Sequence, residues 1–148
     1  MGTTRTTWLK GGAIAIQPAA QKMETIINFA DLNCVATDVI QALTIPAKTF
    51  VAAVGFEVLT VEDSTLTFDI GDDVAGGGDV DGYLDGVDGE VLTGAVGAAT
   101  GYAGSGKVAC KYYHAADTID VLINNDADTL KLRVWAIIMP AAAVQPTS

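Results

Sequence analysis

The sequence has one histidine, two cysteines and not a single lysine or arginine between Lys48 and Lys107. Each shortage excludes a class of function. A lone imidazole, His114, cannot build a histidine-rich metal centre. As a general base it would need an orienting partner and a pocket, and no Gly-x-Ser-x-Gly elbow accompanies it. Cys34 and Cys110 are too far apart for a metal-spaced pair and too few for a disulfide framework, so free, partly buried thiols are expected. No stretch reaches the 18 or so consecutive apolar residues of a membrane span. Met1-Gly2-Thr3-Thr4-Arg5 is followed by no continuous apolar run, so synthesis and residence in the cytoplasm, or in a particle assembled there, are expected.

What the chain does have is apolar surface and negative charge. Its 148 residues fit one domain able to bury a core without disulfides or metal. Hydrophobic residues make up 50% and charged ones 18%, against a usual charged share of about 25%. Alanine, as in Ala141-Ala142-Ala143, accounts for part of that excess and burial between subunits for the rest. The net charge of −10 is concentrated in Glu62, Asp63, Asp69, Asp72, Asp73, Asp79, Asp81, Asp85, Asp88 and Glu90, whereas the first 23 residues carry Arg5, Lys10 and Lys22 and no acid. So negative a middle repels phosphate, which argues against nucleic acid or an anionic membrane as partner.

The periodicity is that of strands. Leu130, Leu132, Val134, Ala136 and Ile138 alternate with Lys131, Arg133, Trp135 and Ile137. The same alternation runs through Phe50, Ala52, Val54, Phe56 and Val58, through Leu66, Phe68 and Ile70, and through Ile119, Val121 and Ile123. Val39 to Ile45 and Lys107 to Tyr113 are further candidates, and no segment shows a helical stripe. Turn residues at Pro46-Ala47-Lys48, Glu62-Asp63-Ser64 and Asn124 to Asp128 separate antiparallel neighbours. The expected fold is all-β, an antiparallel sandwich or jelly roll of about seven to eight strands. Residues 1–22 read as an extended N-terminal arm, 23–140 as the β domain and 141–148 as a tail. The Gly/Asp-rich excursion 71–106 exceeds an ordinary connection and reads as a functional or interface loop.

Two chemistries fail on spacing. Asp79, Asp81, Asp85 and Asp88 offer hard oxygen ligands, but counting an EF-hand from Asp79 puts Tyr83 fifth and Glu90 twelfth, with no flanking helices. They remain weak metal candidates beside the plainer reading of a solvated, self-repelling loop. Gly101 and Gly106 with Lys107 imitate a phosphate loop, but Val108 stands where Ser or Thr is required and a strand follows. A glycosidase-like carboxylate pair stays open, because any two of the eighteen acids can converge in space, but nothing in the sequence singles one out. No catalytic residue and no cofactor is assigned. Trp8 has no local core to join and suits docking onto another chain, and Trp135 lies opposite the aliphatic stripe of its strand, where either a second layer or a neighbouring subunit would cover it.

Thr67-Phe68-Asp69-Ile70-Gly71-Asp72, Asp81-Gly82-Tyr83-Leu84-Asp85-Gly86-Val87-Asp88, Ala115-Ala116-Asp117-Thr118-Ile119-Asp120 and Arg133-Val134-Trp135-Ala136 together resemble small structural proteins of tailed bacteriophages, over Ile45 to Met139. The resemblance implies a capsid decoration or cement protein. Such a protein is a β-rich unit on the outer head surface, often a trimer, that ties neighbouring capsomers together. It implies major capsid protein and sister subunits as partners, with Arg5, Trp8, Lys10 and Trp135 as candidate interface residues. A tail or fibre component is the other location. The rival reading is a carbohydrate- or receptor-binding module in which Tyr83, Tyr102, Tyr112 and Tyr113 stack on sugar, with an enzyme third.

Overall fold

The computed structural model describes residues 20–73, 77–102 and 110–140. Nine strands and one short helical turn follow in order: β1 (Gln21–Asn28), α1 (Phe29–Leu32), β2 (Val39–Ile45), β3 (Thr49–Thr60), β4 (Thr67–Asp72), β5 (Leu84–Asp88), β6 (Val96–Ala99), β7 (Lys111–Tyr113), β8 (Asp117–Ile123) and β9 (Lys131–Pro140). They form two antiparallel sheets. The first runs β1-β9-β3-β6, with β7 also on β3, and the second runs β2-β8-β4-β5. This is the all-β sandwich that the alternation predicts. Gln21 and Lys22, at the end of the stretch read as an arm, pair with Ile138 and Ile137 within β1. Residues 1–19 of that arm, the tail 141–148 and most of the phosphate-loop-like segment lie outside the described residues.

The core fills the space between the sheets. In β9, Leu132, Val134 and Ala136 are fully buried, facing Val58, Phe56 and Val54 of β3 in register. From the second sheet come Phe68 and Ile70 of β4 beside Ile123 and Val121 of β8. The Phe56 and Phe68 rings meet edge to face across the two layers at 5.3 Å. Burying each such side chain is worth roughly 1.5–3 kcal/mol, so this aliphatic face is what drives the layers together.

Two expectations are corrected. The alternation assigned to β3 does not run unbroken from Phe50 to Val58, because the register shifts between Val51 and Ala53. The bulge turns Val51 inward at 1% exposure and leaves Phe50 outside at 38%. The second concerns 71–106, which is not one long loop. It supplies an edge strand to each sheet, β5 on β4 and β6 on β3. Between those strands, Gly89 N–H donates to Leu66 O and Gly94 N–H to Val58 O, so the segment straps one sheet to the other along the side of the sandwich.

Candidate functional site

The most concentrated polar chemistry among the described residues sits at the start of that strap. Asp72 ends β4, paired with Ile119 of β8, and therefore points inward like Ile70 before it. A carboxylate there is tolerable only if its oxygens are satisfied. Oδ1 accepts the Tyr102 hydroxyl at 2.7 Å and the Asp79 N–H at 2.7 Å. Oδ2 accepts the Tyr113 hydroxyl at 2.8 Å and the Lys111 ammonium. The same ammonium lies 3.8 Å from the Tyr102 ring centroid and 4.9 Å from that of Tyr113. The Tyr83 hydroxyl stands 2.8 Å from that of Tyr113. Because Tyr113 has one hydroxyl hydrogen and gives it to Asp72, Tyr83 is the donor.

Burial pushes the Asp72 carboxyl upward, but Lys111, the Asp79 amide and the two tyrosine hydroxyls outweigh it and hold the group below the ordinary aspartate range. Burial raises all three tyrosines, so they are neutral donors at any working pH. The network joins β4 of one sheet to β7 of the other and gathers both ends of the strap. It clasps the two sheets together. Tyr83, Tyr102 and Tyr113 are buried and engaged in it, which removes them from the sugar-stacking surface; Tyr112 alone is partly exposed, tilted against Phe50 at 4.6 Å and edge-on to His114 at 4.5 Å.

The acidic residues divide by position. Asp79 and Asp81 lie close enough to share a hydrogen bond, which raises Asp81. Asp88 accepts the Glu90 N–H at 2.8 Å, and Asp85 is exposed. They do not converge on a common point. A closer trio is Glu62, Asp63 and Asp128. There, buried Glu62 accepts the N–H groups of Asp128, Thr129 and Leu130 at 3.5, 3.2 and 2.8 Å and so fixes the turn before β9. Asp69 similarly accepts Gly86 N–H at 2.7 Å and Asn124 Nδ2 at 3.1 Å. Neither of these two could be told from solvated acids in the sequence, because their donors are backbone or amide groups brought in from distant turns.

Of the residues expected at an interface, Arg5, Trp8 and Lys10 lie outside the described residues. Trp135 is half-buried on the outer face of the five-stranded sheet, its ring lying across Gly55, where a Cβ would come within 2.2 Å of it. Beside it on that face are half-exposed Ile26 and the ion pairs of Arg133 with Glu57 and Glu24. The β3 bulge adds an apolar strip to the outside of the same sheet: Met139, Phe50 and Tyr112 are cross-strand neighbours on β9, β3 and β7. Both cysteines are free, and Cys110 donates its S–H to Val51 O at 3.3 Å.

No protein-family model matches the chain, and no curated protein is similar to it in sequence. Solved structures are similar in fold. The chain matches one in the capsid of Ralstonia phage GP4 with a TM-score of 0.60 and 16% identity over 97% of this chain and 93% of that one. It matches one in the cyanophage Pam1 capsid asymmetric unit with a TM-score of 0.57 and 14% identity over 94% and 99%. A third match, in the acid-stable capsid of Helicobacter pylori bacteriophage KHP30, has a TM-score of 0.53 and 9% identity over 87% and 94%. At these identities the likeness is one of fold: the chain has, along nearly its whole length, the architecture of proteins found in phage capsids.

Proposed function

We propose that this chain is a structural protein of a phage virion, and specifically a cement protein that seats on the outer head surface and bridges capsomers. The observation that carries the reading is the near-complete overlap, in both directions, with chains from three phage capsids. The side chains support it. The buried polar groups at Asp72, Glu62 and Asp69 are engaged in holding strands and turns together. The outer face of the five-stranded sheet carries an apolar strip and half-buried Trp135, which fit contact with capsid protein or sister subunits. Many weak contacts repeated over a shell sum to a strong hold, so each interface can stay small. The basic residues Arg5 and Lys10 and the apolar Trp8 would extend the contact to an adjoining subunit.

The test is to add the purified full-length chain to heads assembled without it and to image the particles by electron microscopy. Density on the outer surface at fixed stoichiometry, with a higher disruption temperature for the heads, is the expected result. Closed shells formed by this chain alone would make it a shell-building protein instead. Retention on a glycan array without binding to heads would restore the receptor-binding reading.

A further inference from the structure

The outer face of the second sheet holds a buried carboxylate, one oxygen of which has no hydrogen-bond partner among the described residues. Asp120 of β8 pairs with Gly71 of β4 and Gln41 of β2, so it points away from the core, yet it is only 3% exposed. Residues 79 and 80 fold over Gly71, so closely that a Cβ there would meet the Asp79 carbonyl at 1.9 Å, and they wall off the space beside it. What remains is a notch lined by Val39, Gln41, Asp73, Val80 and Asp120. Asp120 Oδ1 and Thr118 Oγ1 are buried without a hydrogen-bond partner among the described residues. Burial raises the Asp120 carboxyl above the ordinary aspartate range. The Thr118 hydroxyl eases this without making a sound hydrogen bond, while the charges of Asp73, Asp117 and Asp72 add to it. Every charged group named is an acid.

We propose that this notch receives the guanidinium or ammonium group of an arginine or lysine from a neighbouring protein subunit. Val39 and Val80 line the notch together with two carboxylates and the Gln41 amide, a mixture that suits both the methylene stem and the charged head of such a side chain. With 18 acids against eight bases, the chain has cations to spare for few of its carboxylates, and Lys111 already answers Asp72. A bare metal ion fits less well, because the Glu62, Asp63 and Asp128 trio is the carboxylate set that converges closely among the described residues, and Asp120 is not in it. That the cation comes from a subunit neighbour rests on the virion reading above; that the notch binds an organic cation does not.

The experiment is therefore made on the isolated full-length chain. Its amide resonances are followed by NMR during titration with n-propylguanidinium chloride, with sodium chloride and calcium chloride as parallel arms. Saturable shifts at Val39, Gln41 and Val80 with propylguanidinium alone are expected, weakened at least tenfold in Asp120→Asn and also weakened in Asp73→Asn, which lines the same notch. If Asp120→Asn loses its dispersed spectrum, the Asp73→Asn arm decides. Shifts that never saturate, equal binding by the variants, or tighter saturation by calcium would each overturn the proposal. A chain that binds propylguanidinium but never decorates heads would overturn the virion reading and leave the notch standing.

Discussion

Asp72 and Asp120 lie one register step apart on neighbouring strands, on opposite faces of the same sheet, and both are almost wholly shielded from water. One is surrounded by four donors from three parts of the chain, and the other has an oxygen with none. The environments push their carboxyls to opposite sides of the ordinary value of 3.8. Burial alone therefore says little about a charged group. What decides is whether the fold itself supplies the donors, and where it does not, the missing donor points to a partner.

The contrast is broken most directly by Asp72→Ala. Removing this carboxylate takes the partner from a largely buried ammonium and from the Tyr102 hydroxyl and leaves Tyr113 only its bond to Tyr83, so a loss of about 3–5 kcal/mol is expected, read as a fall in the denaturation midpoint. A loss below about 1 kcal/mol would mean that the strap does not depend on the clasp. Next in size is Gly71→Ala, between the two sites. Its methyl would strike the backbone at Asp79 and Val80, and the displacement of that cover is expected to cost about 1–3 kcal/mol. It should also open Asp120 to water, which faster hydrogen exchange at the Asp79 and Val80 amides would report. Tyr83→Phe is milder: it strips one hydrogen bond from the Tyr113 oxygen, and about 1 kcal/mol is expected.

How much of this was legible in the sequence follows from the range of the interactions. The stripe Leu132-Val134-Ala136-Ile138 showed its strand and its buried face because alternation is local. Phe50 was misplaced because a one-residue bulge leaves no mark in a pattern of apolar residues on both sides. The region 71–106 read as a loop because glycine and aspartate hide its two strands, which are edge strands with little to bury. The clasp was invisible for a different reason. Tyr83, Tyr102, Lys111 and Tyr113 reach Asp72 or one another across separations of 30 residues or more, and neither spacing nor periodicity carries such a pairing. The orphaned Asp120 was equally hidden, since its sequence neighbours Ile119 and Val121 describe only the opposite face.

The smallest effect is the most discriminating. Asp120→Asn removes a charge that the empty notch disfavours but leaves an amide still short of partners, so the expected gain at neutral pH is under about 1 kcal/mol. Its size depends on pH in a way that Asp72 does not share. A carboxyl raised in the folded state above 3.8 contributes stability that is present below 3.8 and is lost as pH rises through the folded value. The variant's advantage should therefore shrink as pH falls from neutrality towards 3.8. Asp72, lowered in the folded state, contributes stability present above 3.8 and lost as pH falls through its folded value, so on acidification its loss begins near 3.8, where the penalty at Asp120 has already been relieved. Denaturation midpoints of wild type and Asp120→Asn across this range should converge on acidification. Saturating propylguanidinium should close the same gap at neutral pH by supplying wild type with its missing donor. Convergence with acid but not with the cation would leave Asp120 a buried carboxylate that the fold simply tolerates, and would take away the reason to look for a partner's side chain there.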